Sequence, residues 1–280
     1  MKQMNTSRRQ RSWDLRAAAN FIGGGTGTGL LMASVVAAAF GPTTPVTMAA
    51  GAVFVMLGLS MVWLEIGKPW RALHVFFHPQ TSWMTREGII AGPLVAAVGA
   101  WVVLGLSAAL PLVFVLAAGF LFCQARMLRA SRGIPAWKQA EVVPFLIATG
   151  VAEGTGMMAV LGGSSPALVG FALAAGLARE AAWWAYGRGL ARSHAPKASM
   201  DVLMKSAPAM ACRAAQVAAL VLWLATLSGV TDVALLAGLL AAVSGWGIKA
   251  LLITRAAFTR GPAIAMCPVR GRGIGLPIEA

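Results

Sequence analysis

The sequence predicts an all-α integral membrane protein of eight transmembrane helices with both termini on the cytoplasmic side. Three observations predict it. Of 280 residues, 58% are hydrophobic and 11% charged, against roughly half and a quarter in soluble domains, and the mean hydropathy is +0.74. Apolar runs of about 20 residues, the length a helix needs to cross hydrocarbon, recur along the whole chain. Lys and Arg crowd onto alternate connections, as the positive-inside rule requires. No separate soluble domain fits, so the chain reads as one membrane domain: a basic tail (1–16), an eight-helix bundle (17–254) and a second basic tail (255–280).

The first helix, 17–39, follows a basic segment. SRRQRSW faintly resembles a twin-arginine signal, but the run after it is full-length and lacks a convincing cleavage site, so it reads as retained. Its GGGTGTG stretch, Gly23 to Gly29, lacks the lysine and the preceding strand of a phosphate loop. Small residues there let membrane helices approach closely. The second helix, 46–66, lies between Pro45 and Pro69, and the third, 87–106, follows Pro79. The fourth (110–128), fifth (140–161), sixth (167–187), seventh (207–227) and eighth (231–253) are set off by Pro111, Pro135, Pro166, Pro196 and short glycine or serine turns, where a missing N–H costs least.

Connections after the second, fourth and sixth helices, with both tails, hold the loop Lys and Arg, and connections after the odd helices hold none. The net charge of +14 therefore reports topology and not nucleic-acid binding. Cys123, Cys212 and Cys267 form no cluster-ligand spacing. His74, His78 and His194 fall in polar connections, where they do not suit an axial haem ligand. His74 and His78 alone are an incomplete metal site, so no metal is expected.

Chemistry concentrates in two interruptions. LEIGKPWRALHVFFHPQTSWMTREG, 64–88, holds Glu65, Trp70, Arg71, Trp83, Arg86 and Glu87. It reads either as an ordinary basic loop with interfacial tryptophans or as a site in which Glu65, at the end of an apolar helix, exchanges protons with a quinone head group. ARMLRASRGIPAWKQAEVVPF, 125–145, brings together Arg129, Arg132, Trp137 and Lys138, which either anchor the membrane face or seat an acidic partner. Glu153, Arg179 and Glu180 lie inside helices, as a Glu153–Arg179 pair or as a proton path. Arg213 and Lys249, near helix ends, are expected to snorkel. Trp13, Trp137, Trp183 and Trp184 are expected in the interfacial belt with Trp70 and Trp83.

On EIGKPWRAL with TSWMTRE, on ARMLRASRGIPAWKQAEVVPF, and on the eight-helix plan, the chain resembles the membrane anchors of complex iron–sulfur molybdoenzymes, the DMSO reductase anchor (DmsC) and NrfD/PsrC group. That resemblance implies a bacterial inner-membrane subunit without haem or cluster, which docks a four-cluster ferredoxin-like subunit and binds quinone beside the docking face. The family's loop typically begins His-Leu-Gly-x-Pro-x-Arg-Ala. Here Glu65 stands at the His position, while Gly67, Pro69, Arg71 and Ala72 are retained. Glu65 takes up or releases a proton but cannot donate a neutral N–H bond. The basic face carries the termini, which implies a cytoplasmic catalytic partner. WDLRAAANFIGGGTGTG and HPQTSWMTRE are similar to the anchors of phenylacetyl-CoA:acceptor oxidoreductases, which share that orientation.

The resemblance thus implies electron transfer between a partner holding a Mo/W-bis-pterin centre, its iron–sulfur subunit, and ubiquinone or menaquinone. The implied quinone site comprises Glu65, Gly67, Pro69, Trp70, Arg71, Trp83, Arg86 and Glu87, with Glu65 as proton donor or acceptor and Glu65→Gln cutting turnover while sparing assembly. Two alternatives stand beside it. One is a secondary transporter with a midplane site at Glu153, Arg179 and Glu180, although no internal repeat is evident. The other is a passive anchor.

Overall fold

A computed structural model describes residues 7–41, 44–65, 74–131, 133–193 and 195–259. Its long helices are α1 (Leu15–Phe40), α2 (Pro45–Glu65), α3 (Trp83–Leu104), α4 (Ala109–Ala130), α5 (Val142–Val160), α6 (Pro166–Arg192), α8 (Ala207–Leu227) and α9 (Ala234–Ala250). A single turn, α7 (Lys197–Met200), leads into a π-helical turn before α8, and a second π-helical turn, Leu251–Arg255, extends α9. Seven of the long helices are long and apolar enough to cross a membrane. The remaining one, α6, has 27 residues and would span about 40 Å, but it carries Arg179, Glu180, Arg188 and Arg192.

Local chemistry sets the ends. Ser82 caps α3 by accepting a hydrogen bond from the Thr85 amide, so the helix begins four residues before the expected Glu87. Glu87 therefore sits one turn inside α3 and is buried. Ser165 and Ser206 cap α6 and α8 in the same way. Asp14 caps α1, accepting from the Arg16 amide at 2.8 Å, and the Arg16 side chain holds its carboxyl below the ordinary value. The cap is therefore complete above the ordinary carboxylate range and is lost as pH falls below that range through the lowered value of Asp14. Amide exchange at Arg16, corrected for intrinsic rates, is expected to accelerate in acid.

Two helices form the centre. α1 packs on α2, α4, α5 and α9, and α5 packs on α1, α4, α6 and α9. Four of the five glycines of GGGTGTG divide between two neighbours, in agreement with the packing reading, and Gly24 faces α4. A Cβ on Gly23 would lie 2.7 Å from the Phe54 carbonyl oxygen of α2, and one on Gly27 would meet Gly51 and Val55. Gly25 and Gly29 instead face Gly150 and Gly154 of α5. Two interleaved small-xxx-small registers thus let one helix contact α2 and α5 at backbone distance.

One end of the bundle brings the segments at 8–10 and 257–259 together near the end of α2. The Gln10 amide donates to the Ala257 carbonyl and the Thr259 amide to that of Arg8, while Arg16 Nη1 reaches the Leu64 carbonyl at the end of α2. The Trp137 indole N–H donates to the Leu252 carbonyl at 3.0 Å, and the Tyr186 hydroxyl donates to that of Ala136. These bonds correct the tryptophan reading. Trp137 and Trp183 are core residues, 1% and 6% exposed, because Trp137 packs on Trp13 and Trp183 on Phe145. Trp184 remains on the surface.

Candidate functional site

α2 and α3 touch sparsely, and the space between them is a cleft of about 470 Å³. Met56, Leu59, Trp63, Phe76 and Met84 line it together with Ala91, and Glu87 supplies the carboxyl group. Gly88 makes room for Phe76: a Cβ there would lie 3.2 Å from the ring. The Thr85 hydroxyl donates to the Val75 carbonyl and so ties the segment bearing Phe76 to α3. Pro93, inside α3, has no N–H for the Ile89 carbonyl one turn back, so the helix lacks that bond beside the cleft.

The Gln124 side-chain amide of α4 positions Glu87. Its Nε2 donates to Glu87 Oε1 at 3.2 Å and to the Asn20 carbonyl of α1 at 3.1 Å. Gln124 is held in turn against Gly24, whose missing side chain leaves it space. Among the described residues no cation lies within ion-pair distance of Glu87, and its second oxygen accepts no hydrogen bond. Ser60, the other polar group of the wall, spends its hydroxyl on the Leu57 carbonyl. Among the described residues, Glu87 is thus the group in this apolar cleft that can exchange a proton or a hydrogen bond with a guest.

Other nominated residues fall elsewhere. Glu65 ends α2; its side chain, and Gly67, Pro69, Trp70 and Arg71, lie outside the described residues, as do Ala72 and Arg132. Trp83 and Arg86 are on α3 but do not line the cleft. The Arg86 guanidinium stacks 4.2 Å from the Trp83 ring centre and donates to the carbonyls of Pro79 and Gln80. Of the expected docking residues, Lys138 is exposed, Arg129 is half-buried and Trp137 is enclosed.

The intramembrane charges form three separate networks. Glu153 does not pair with Arg179. Its Oε2 accepts from Lys249 Nζ at 2.7 Å and from the Thr26 hydroxyl at 2.9 Å. The same ammonium donates to the Phe21 carbonyl, and the Trp246 indole donates to Thr26. Lys249 does not snorkel: it is 1% exposed, because glycines at 25 and 245 leave room for an inward ion pair. Arg179 donates to Gln216 at 2.6 Å, to Ser244 at 2.9 Å and to the Ala241 carbonyl. Glu180 faces Arg213 at 3.7 Å. The gap beside Arg179 and Glu180 is about 10 Å³, room for about one water. A single midplane substrate site is not assembled from these residues.

Sequence reasoning missed Gln124, Lys249 and Thr26 as partners. The signal for Gln124 was present, an amide inside the apolar run FLFCQARMLRA. Compared with known proteins, the chain matches no family model and no curated sequence.

Proposed function

We propose that the chain is the membrane anchor and quinone-reactive subunit of a multi-subunit oxidoreductase. The observation that carries this is the α2–α3 cleft: apolar walls, one protonatable group among the described residues, and a volume within the roughly 300–1,000 Å³ usual for small-molecule sites. A quinone accepts or releases two electrons with two protons. Met56, Leu59, Trp63 and Phe76 would hold its ring and chain by apolar contact and exclude water, and Glu87 would bond a ring oxygen and exchange a proton there. Gln124, already donating to one Glu87 oxygen, leaves the other facing the guest. Glu65, the last residue of α2 and two residues after Trp63, would serve the same proton traffic from the loop side.

The charge pattern supports a cytoplasmic partner. The described segments next to both termini share one end of the bundle with the described basic connections, and the described connections at the other end, 105–108, 161–165 and 228–233, contain no Lys or Arg. By the positive-inside rule the basic end faces the cytoplasm and all eight long helices span. Arg129 and Lys138 on that end would meet a ferredoxin-like subunit carrying iron–sulfur clusters, with a molybdenum or tungsten subunit behind it. The resemblance of EIGKPWRAL and TSWMTRE to the molybdoenzyme anchors supports that assignment, and a cytoplasmic substrate such as a coenzyme A thioester suits it.

The test is purification of the tagged chain from its native membrane in mild detergent, with mass spectrometry of co-purifying proteins, elemental analysis and quinone extraction. Recovery of iron, molybdenum or tungsten with the partner subunits and bound quinone is expected. A metal-free, partnerless chain without quinone would overturn the proposal. In the intact complex, Glu87→Gln is expected to lower quinone-linked turnover about 100-fold or more, the scale of a lost proton-transfer group, while partner recovery stays at the wild-type level. Glu65→Gln in the same assay apportions the proton role between the two carboxyls. Unchanged turnover in both variants would leave a passive anchor.

A further inference from the structure

We propose that Arg86, Trp83 and Arg126 form a binding site for the phosphate of an anionic phospholipid, whose acyl chain lies along the outer face of α4. Trp83 receives two cations: the Arg86 guanidinium at 4.2 Å and the Arg126 guanidinium at 4.8 Å from its ring centre. Phe122 packs edge-on against the same indole. Two guanidiniums held on one ring repel each other, and among the described residues neither has a carboxylate within ion-pair distance. Arg86 spends part of its fork on the Pro79 and Gln80 carbonyls. The Arg126 guanidinium has no hydrogen bond among the described residues, and its Nε is buried without a partner. An anion between the two would satisfy both, and a phosphate matches the donor geometry of guanidinium.

The position identifies the source of that anion. Trp83 opens α3 and Arg126 lies one turn from the end of α4, both at the basic end of the bundle, at the level of lipid head groups. From Arg126 the residues of α4 at helical spacing are Phe122, Gly119, Val115 and Leu112, one face of the helix. Phe122, Val115 and Leu112 are 43%, 64% and 51% exposed, and Ile90 of α3 borders Gly119. The stripe runs about 20 Å from the cations toward the other end, which matches an acyl chain and offers nothing to a water-soluble acidic segment. Since Trp83 and Arg86 do not line the α2–α3 cleft, this site is independent of the quinone proposal.

The full chain in mild detergent is examined by native mass spectrometry with phosphatidylglycerol, phosphatidylcholine of the same chains, and inorganic phosphate. Wild type is expected to retain phosphatidylglycerol preferentially, and Arg86→Gln with Arg126→Gln to lose about 25-fold in retention, about fivefold for each cation near the surface. Arg126→Lys is expected to restore part of it. Arg213→Gln, which removes a guanidinium stacked on Trp184 but paired with Glu180, is expected to change nothing. Equal retention of both lipids by wild type, an unchanged preference in the double variant, or an equal loss in Arg213→Gln would overturn the proposal. Displacement of the lipid by inorganic phosphate at matched concentration would assign the cations to a free anion and overturn the lipid source. If the double variant fails to fold, thermal unfolding of wild type decides: a larger upward shift with phosphatidylglycerol than with phosphatidylcholine supports the site, and equal shifts overturn it.

Discussion

Lys249→Met is expected to destabilise the folded chain by about 3–5 kcal/mol, the cost of leaving one member of a buried ion pair without its partner. Glu153 is fully enclosed, and Lys249 and Thr26 both donate to Oε2 while Oε1 has no partner. Removing the ammonium leaves one hydroxyl bond to a fully enclosed carboxylate. Replacing both members, Glu153→Leu with Lys249→Met, is expected to recover most of that loss, because desolvating two charges offsets much of their attraction and apolar side chains of similar volume serve as well. Unfolding in mixed micelles, followed by circular dichroism, measures the cycle. A loss below about 1 kcal/mol for Lys249→Met would show that water reaches Glu153 or that the pair does not form, since only exposed pairs contribute so little.

The lysine also shows where sequence reading stops. A lysine one turn from a helix end usually reaches for the interface, and nothing in the periodicity of α9 says otherwise. Its inward turn depends on α1 and on Gly245 of its own helix, where missing side chains leave the space that the ion pair fills. Hydropathy and proline placement found every long helix, because each signal is local. The glycine registers of α1 were readable for the same reason: close backbone approach needs small residues wherever it occurs. Glu87 was legible as a member of the site but not as its centre. Four residues of α3 depend on Ser82 as cap, and that shift moves Glu87 from a helix start into the cleft wall. Trp137 was misread because an indole N–H is equally at home in an interface or on a buried carbonyl, and the Leu252 carbonyl is 115 residues away.

Gly154→Val is expected to abolish the native fold, with a loss beyond about 4–5 kcal/mol, the range in which a single substitution points to a specific structural cause. A Cβ at Gly154 would overlap backbone atoms of Gly29 and Leu30, which cannot swing aside as a flexible side chain does. Relief would require α5 to move away from α1, and three things move with it. The Gly25–Gly150 contact opens, the Glu153 carboxyl withdraws from Thr26 and from the lysine anchored on the Phe21 carbonyl, and α1, which carries Asn20 against Gln124, loses its packing on α5. The substitution therefore reaches the cleft as well, because Gln124 positions Glu87. Gly99→Ala is the matched control. No atom lies within 4 Å of a Cβ there, and in a helix interior alanine is favoured over glycine by about 0.8–1 kcal/mol, so this variant is expected to unfold at the same point as wild type or later. Yield of monodisperse protein in mild detergent and its unfolding midpoint compare the two. A well-folded Gly154→Val protein would mean that α1 and α5 are spaced more widely than their glycines allow, and the ion pair and the glutamine support of Glu87 would both require another origin.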